Sequence, residues 1–331
     1  MTSPRYLSLM LALVILLVLA VALSLTLGEY PISLPMLWAG LTGHSIPEAS
    51  EVVLWQLRLP RAIAAALIGA GLSAAGATYQ AMLRNPLVSP DILGVSAGAG
   101  LGASFGIFLG LSLLWVQSLA FAGGLLAVAC VYFIARAAPR HDSVLVLVLA
   151  GVAIGALLGA GLALLKLLAD PGGQLPAITF WLMGGLQAIT NKELPWLAIG
   201  LAIALIPLVL LRWRINLLVL PDDEARSLGQ HPTRLRQLLI AAATLLTACA
   251  VAFSGIIGWV GLIMPHIARL IVGAEFSRLL PTTLLLGAVF LVLTDMLART
   301  ATGIELPLGL LTSVLGAPFF LFLLLRTRRP I

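Results

Sequence analysis

Apolar runs of about 20 residues recur along the chain and alternate with short polar stretches that contain prolines and arginines. A helix of that length crosses the ~30 Å hydrocarbon core of a bilayer. Membrane β-barrels show alternating segments of about ten residues instead, and the sequence lacks that pattern. It predicts an all-α polytopic membrane protein with a single transmembrane domain over residues 1–331. About ten spans are expected, over residues 6–27, 61–81, 92–111, 115–136, 143–167, 193–211, 235–253, 259–272, 280–299 and 307–325.

Composition agrees with a membrane protein. The chain is 61% hydrophobic and 10% charged, with a mean hydropathy of +1.11, whereas soluble domains carry about 25% charged residues. The first span is too long for a signal-peptide core and no cleavage site follows it, so we expect it to be retained. The net charge of +6 comes from span ends, which membrane topology explains better than nucleic-acid binding. Cys130 and Cys249 fall within spans, and we interpret both as small core hydrophobes.

Lysines and arginines are divided unequally between the two sides of the predicted membrane. With the N-terminus inside, most of the 19 lie on the inner side, Arg140, Arg328 and Arg329 among them. The positive-inside rule therefore predicts that both termini are cytoplasmic. The outer side holds only Arg58, Arg61, Lys166, Lys192 and Arg299.

Three loops have distinct characters. Residues 28–60, outside, contain several prolines and predict a short surface helix. Residues 169–191, also outside, include an apolar stretch too short to span, which predicts a re-entrant or interfacial helix. Residues 212–236 form the largest cytoplasmic loop. A faint repeat relates residues 76–94 to 254–266, and opposite directions of the preceding helices would make it an inverted repeat of the kind used for alternating access.

Patterns for catalysis and metal binding are missing from the sequence. The only lysines, Lys166 and Lys192, belong to no phosphate-binding loop, and the four histidines lack paired-ligand spacing. Asp295 is the clearest ionisable residue within a span. It precedes Arg299 by four residues, which favours an ion pair on one helix face over a proton or sodium relay. We expect a protein that is not an enzyme and whose energy source lies on another chain.

Two polar segments bracket the second span. Arg58 and Arg61 flank Pro60, which suits the first position of a helix. These arginines either snorkel to lipid phosphates or form an outward basic patch for an acidic partner. Residues 85–91 contain two prolines, which forbid a continuous helix. That segment is either an ordinary turn or a constriction that lines a pore.

A short charged helix is predicted within the largest cytoplasmic loop. Asp222 and Asp223 suit its first turn, and Gly229 suits the left-handed position after its end. The helix carries two apolar residues, Ala225 and Leu228. It is either a solvated loop helix or a segment that inserts into a groove on a partner.

These segments resemble the type II ABC importer permeases of the iron-siderophore, haem and cobalamin family. The resemblance extends from about residue 52 to 325, and its motifs are collectively specific. The motifs are Arg58-Leu-Pro-Arg61, Asn85-Pro-Leu87, Ile92-Leu-Gly94, Leu149-Ala-Gly-Val152, the run over residues 255–266, Glu305-Leu-Pro-Leu-Gly309 and Leu315-Gly-Ala-Pro318.

The resemblance implies a ten-helix permease that pairs with a second copy or a close paralogue around a central pathway. Two separate ATPase subunits would bind on the inner side and hold ATP and Mg, while this chain would bind no cofactor and no metal. A substrate-binding protein, periplasmic or lipid-anchored, would dock outside. The protein would be a multi-pass component of the bacterial cytoplasmic (inner) membrane.

The resemblance also implies three sites. Binding-protein docking would use Arg58, Arg61 and Arg299, which would meet glutamates of that protein. The cytoplasmic gate would comprise Asn85, Leu87, Ser143, Val144 and Leu145, although some members carry small hydroxyl residues where Val144 and Leu145 stand. ATPase coupling would use Pro221, Asp222, Asp223, Glu224, Ala225, Leu228 and Gly229.

Our ranking of the candidate cargoes rests on one loop. Residues 89–94, with Asp91, are closer to ferric-siderophore members, because haem and cobalamin members more often carry glycine at that position. We expect a ferric siderophore or ferric citrate, then haem or cobalamin, then molybdate. Outside the family the alternatives are an ion-coupled secondary transporter, an intramembrane enzyme and a membrane scaffold. The scarcity of ionisable residues within spans disfavours the first, and the lack of a convergent His, Asp or Ser set disfavours the second.

Overall fold

The structure is a computed structural model that describes residues 4–138 and 143–326. All regular secondary structure in these two ranges is helical, which confirms the predicted all-α fold. Arg140, Arg328 and Arg329 lie outside the described residues. The helices are α1 (Pro4–Thr26), α2 (Leu34–Leu41), α3 (Glu48–Val52), α4 (Leu59–Met82), α5 (Val95–Phe108), α6 (Leu113–Ala137), α7 (Ser143–Leu168), α8 (Gln174–Met183), α9 (Leu194–Ile215), α10 (Asp222–Ser227), α11 (Pro232–Ser254), α12 (Val260–Val272), α13 (Phe276–Thr300) and α14 (Leu308–Arg326).

The predicted spans overlap α1, α4, α5, α6, α7, α9, α11, α12, α13 and α14. Within the described ranges, seven helical segments are long and apolar enough to cross a membrane. Helices α5 and α12 are shorter, at 14 and 13 residues. At about 1.5 Å per residue they reach only ~20 Å, less than the ~30 Å hydrocarbon thickness. Each is therefore too short to cover the full hydrocarbon thickness by its helical part alone.

Helix α4 is the centre of the fold. It packs against α9, α11, α12 and α13, and most of its residues are buried. Glycines bring backbones together: a Cβ added at Gly69 would lie 2.1 Å from the Gly287 oxygen, and one at Gly76 would lie 1.7 Å from the Gly261 oxygen. Small residues permit such close approach between membrane helices. The Ala- and Gly-rich sequence of α4 thus lets α12 and α13 contact it backbone to backbone.

Helices α5 and α6 form a second glycine contact. A Cβ on Gly98 or on Gly123 would lie 2.3 Å from the carbonyl oxygen of the other. Cys249 on α11 is buried, as predicted for a core residue, whereas Cys130 on α6 is exposed. The prediction for Cys130 was wrong because a helix face that meets lipid is as apolar as one that meets protein.

Both unusual loops expected from the sequence contain short helices. Helix α2 lies within residues 28–60, and α8 lies within residues 169–191. Gly184 follows α8 with a φ of 72°, and its carbonyl accepts from the Leu308 N–H at 2.9 Å. The Gly185 N–H donates to the Ser254 oxygen at 2.8 Å. These bonds join the ends of α8 and α11 to the start of α14.

We name the two ends of the helix bundle after Arg61 and Arg84, which lie at opposite ends of α4. The Arg61 end contains the first turn of α4 and the last turns of α1 and α13. The Arg84 end contains the chain that follows α4 together with α10 and the start of α11. The positive-inside prediction places the Arg61 end outside and the Arg84 end in the cytoplasm.

Candidate docking, gate and coupling sites

Arg58 closes the end of α1. A π-helical turn, Val53–Arg58, leads into α4 and leaves Arg58 only 6% exposed. Its guanidinium donates to the carbonyls of Leu25 at 2.8 Å, Thr26 at 3.2 Å and Tyr30 at 2.5 Å. The last carbonyls of a helix lack partners within the helix, and a cation there also suits the helix dipole. Arg58 therefore fastens α1 and the loop after it to the start of α4.

Arg61 lies between two carboxylates. Its Nε donates to Asp295 Oδ1 at 2.8 Å, and its Nη2 pairs with the same oxygen at 2.7 Å and with Glu305. The Asp295 side chain is 1% exposed and that of Glu305 is 30% exposed. Buried charges are tolerated when they are paired and hydrogen-bonded. Arg61 is thus neutralised within the chain, by one inaccessible acid and one accessible acid.

Arg299 completes this group. Its Nε lies 3.3 Å from Asp295 Oδ2, which is the i,i+4 pair expected from the spacing. Its Nη2 donates to the Ser24 carbonyl at 3.1 Å and to the Ser24 hydroxyl at 2.8 Å. The fold therefore brings all three arginines of the proposed docking site to one place. We call Arg58, Arg61, Asp295, Arg299 and Glu305 the arginine cluster.

Two members of this environment were not assigned a role from the sequence. Glu305 was noted only as part of a motif, and Ser24 not at all. The signal that could have identified Glu305 is the charge bias itself. Three arginines lie on the side that the positive-inside rule depletes, and Glu305 is the acidic residue in the connection between α13 and α14.

Two pockets meet beside Glu305. The first has a volume of about 580 Å³, and the second has about 570 Å³. Gln187 and Glu305 line both. Among the described residues that line the second pocket, Glu305 is the only ionisable one. The first is lined in part by Tyr30, Arg58, Arg61 and Arg299, and the second by Gln117, Phe180, Trp181, Phe253 and Ser254.

The segment of residues 85–94, which we call the polar strap, follows α4 at the Arg84 end. The Asn85 side chain accepts from the Leu87 N–H at 2.9 Å. Gln80 on α4 donates to the carbonyls of Val88 at 3.3 Å and Leu262 at 3.2 Å. Asn85 is exposed, and Leu87 is 48% exposed. The strap is thus anchored to α4 and α12 and presents its asparagine and leucine outward.

Helix α7 contacts the far end of the polar strap at Gly151, about two turns after its first residue. A Cβ added at Gly151 would lie 2.2 Å from the Ile92 oxygen. Leu145, another proposed gate residue, is 53% exposed. Ser143 and Val144 begin α7, but their side chains lie outside the described part of the structure. The gate assignment remains a prediction for all five residues.

The proposed coupling segment forms the expected short helix. Helix α10 follows Pro221, and the Gln230 N–H donates to the Ala225 oxygen at 3.0 Å while Gly229 adopts a φ of 76°. This is the glycine-terminated arrangement that the sequence predicted. Leu228 is 59% exposed, whereas Ala225 is 1% exposed and packs inside the chain.

The acids of α10 lie at its solvent-facing side. Asp223 and Glu224 are exposed, and Asp223 pairs with Arg226 at 3.2 Å. The side chain of Asp222 lies outside the described residues. Of the two apolar residues predicted to meet a partner, Leu228 alone is available on the surface.

Comparison with known proteins identifies the family. The family model described as the FecCD transport family matches residues 16–326. A probable iron chelatin transport system permease protein of Helicobacter pylori is 46% identical over 278 residues, 84% of each chain. The molybdate import system permease protein MolB of Haemophilus influenzae is 38% identical over 99% of this chain and 98% of its own.

One further relative and one solved structure extend the comparison. The Fe(3+)-citrate import system permease protein YfmE of Bacillus subtilis is 39% identical over 97% of this chain and 95% of its own. A solved inward-facing structure, described as a metal-chelate type ABC transporter, superposes with a TM-score of 0.89 at 37% identity and covers 96% of this chain and 99% of that chain. These matches confirm the resemblance, the fold and the non-enzymatic role, and the chain therefore belongs to the FecCD transport family of ABC importer permeases.

Proposed function

We propose that this permease carries a ferric chelate, either a ferric siderophore or ferric citrate, from a substrate-binding protein into the cytoplasm. Membership of the family supports ATP-driven import with ATPase and binding-protein partners. The iron chelatin and ferric-citrate permeases among the relatives support the iron chelate. Molybdate is the second candidate, because MolB matches along almost the entire chain. Haem or cobalamin is the third, since a vitamin B12 permease is also 38% identical.

The observation that favours a chelate is the second pocket beside Glu305. Its volume of about 570 Å³ falls within the ~300–1,000 Å³ of pockets for drug-sized ligands. Aromatic and amide side chains line it, and its one carboxylate is paired with Arg61. Such a lining suits a large, weakly held complex. A small oxyanion would instead need several convergent donors to replace its hydration.

The partners follow from the two ends of the bundle. The arginine cluster would meet carboxylates of the binding protein outside, with the first pocket as the entrance beside it. Two ATPase subunits would bind at α10 in the cytoplasm, and a second permease copy or paralogue would complete the pathway. Both termini would be cytoplasmic in a bacterial inner membrane. ATP binding would then move α10, and the polar strap with the start of α7 would open or close the cytoplasmic exit.

An ion-coupled mechanism has little support. A relay carboxylate must exchange protons or sodium with water, whereas Asp295 is wholly buried and is held by both Arg61 and Arg299. Family membership also provides an external source of energy in the ATPase subunits.

Uptake into proteoliposomes tests the proposal. The permease is reconstituted with its ATPase and binding protein, and the assay compares ⁵⁵Fe-citrate, a ⁵⁵Fe-siderophore, radiolabelled cobalamin and ⁹⁹Mo-molybdate. We expect ATP-dependent uptake of a ferric chelate that an ionophore does not change. Uptake of molybdate or cobalamin alone would overturn the cargo assignment. Uptake that persists without ATP and collapses with a protonophore would overturn the importer mechanism.

A further inference from the structure

Arg84 bridges the end of α4 and the chain that enters α10. Its Nε donates to the Leu218 carbonyl at 2.7 Å, and its Nη2 donates to the Leu220 carbonyl. Leu220 directly precedes Pro221, the first residue of the coupling segment. Arg84 itself directly precedes Asn85, the first residue of the polar strap. One side chain thus joins the residues that immediately precede the two segments to which the coupling and gate roles are assigned.

The backbone of Arg84 is held in an unfavourable conformation. Its φ is 51°, in the left-handed region that non-glycine residues adopt uncommonly, and such residues persist where the surroundings hold them. The two carbonyls on either side of Val219 match the planar fork of a guanidinium, which can donate to both at once. A lysine offers a single point charge and would not reproduce this geometry. The contact therefore depends on an arginine.

Other hydrogen bonds of the two segments, among the described residues, reach further helices of the bundle. The polar strap is bonded to Gln80 of α4, which Arg269 of α12 contacts in turn at 3.1 Å. The turn before α10 is bonded to α13, where the Phe276 N–H donates to the Asn216 side chain at 2.7 Å. Each segment is therefore tied to a different helix of the bundle, and Arg84 is a direct hydrogen-bonded connection between them.

We propose that Arg84 is a positioning residue that transmits movement of α10 to the polar strap, so that ATPase binding at one sets the conformation of the other. This assignment rests on the proposed importer function. When α10 shifts, the carbonyls of Leu218 and Leu220 shift with it and pull the guanidinium. Because Arg84 is the residue before Asn85, that displacement passes into the strap through a single peptide bond.

The test uses Arg84→Asn in the assembled complex of permease, ATPase and binding protein. Asparagine tolerates positive φ but is too short to span both carbonyls, so the variant removes the bridge with little backbone cost. We expect co-purification of the ATPase and the rate of ATP hydrolysis to stay within about twofold of wild type, while cargo imported per ATP falls about tenfold. Arg214→Asn, an exposed arginine of α9, is the matched control and should keep the wild-type ratio.

A second measurement needs no cargo. A nitroxide is attached at Leu87→Cys, in a background with Cys130→Ser and Cys249→Ser, and its mobility is compared with and without ATP in the permease–ATPase complex. We expect a nucleotide-dependent change that Arg84→Asn abolishes and Arg214→Asn retains. An unchanged response in Arg84→Asn, or a loss of transport matched by an equal loss of assembly or ATP hydrolysis, would overturn the role of Arg84. Wild-type complex that hydrolyses ATP without importing cargo would overturn the import function instead, and the label would still decide on Arg84.

Discussion

Arg61 and Asp295 form an ion pair of 2.7 Å between the first turn of α4 and the last turns of α13. Each charge lies at the unfavourable end of its own helix, a cation near an N-terminus and an anion near a C-terminus. Neither is therefore explained by the stability of its own helix. The pair joins two helices that are distant in sequence, and the accessible Glu305 supplements it on one side.

We expect Asp295→Asn to reduce the free energy of unfolding by about 3 kcal/mol, because it leaves Arg61 buried without its inaccessible partner. Thermal unfolding of the purified permease in detergent would measure the change. Glu275→Gln is the control. It breaks the Arg278–Glu275 pair, which is 3.1 Å long but about 40% exposed on each side, and exposed pairs contribute at most about 1 kcal/mol. Equal melting temperatures for the two variants would contradict the structural role of Asp295.

Of the two acids that hold Arg61, Glu305 is the accessible one. We therefore expect Glu305→Gln to strengthen binding of the substrate-binding protein about tenfold, equivalent to about 1.4 kcal/mol, because the incoming acid no longer has to displace Glu305. Surface plasmon resonance on permease in nanodiscs would measure it.

The matched control for Glu305 is Glu29→Gln. Glu29 lines the same pocket and is exposed, so its replacement removes an equal charge without altering a partner of Arg61. A similar gain in both variants would indicate only long-range electrostatics. Weaker binding in Glu305→Gln would mean that Glu305 itself belongs to the docking surface.

Gly76→Ala should disrupt the centre of the bundle. The added methyl would meet the Gly261 backbone, which cannot rotate away as a side chain can, so we expect a loss of about 3 kcal/mol, at the upper end of overpacking costs. Gly159→Ala on α7 is the comparison, since an added Cβ there meets nothing within 4 Å. Melting temperatures and yields of folded protein would separate the two. A stable Gly76→Ala variant would show that α4 and α12 can move apart.

Substitutions of Leu228 and Ala225 should affect different properties, ATPase binding for Leu228 and thermal stability for Ala225. We expect Leu228→Asp to melt like wild type yet bind the ATPase at least tenfold more weakly, because the exposed Leu228 at the end of α10 is the apolar side chain that can enter a groove on the partner. Ala225→Leu should lower the melting temperature instead, because it overpacks a buried position. Co-purification of the ATPase together with melting of the permease alone would check both. Full ATPase binding by Leu228→Asp would remove Leu228 from the coupling site.

Most helices were predictable because apolar runs of membrane length carry a strong signal. The side-chain contacts between helices that are distant in sequence were not predictable. The spacing of Asp295 and Arg299 predicted their contact within one helix, but periodicity carries no information about Arg61, which lies 234 residues away in sequence. Likewise the contacts of Arg58 depend on the π-helical turn before α4, which directs its side chain towards α1. The burial of Ala225 depends on how α10 packs against its neighbours, which the sequence of a six-residue helix does not reveal.

The central place of α4 has a consequence for how the protein is made. Its segment is less apolar than α1, and most of it contacts other helices rather than lipid. Yet α13, one of its main partners, is completed roughly 200 residues later, so at about 5–20 residues per second the ribosome needs roughly 10–40 s to supply it. During that interval the glycine face of α4 has no partner backbone and rests against lipid or an insertase. A factor that shelters α4 until the C-terminal helices arrive would therefore keep this face from non-native contacts.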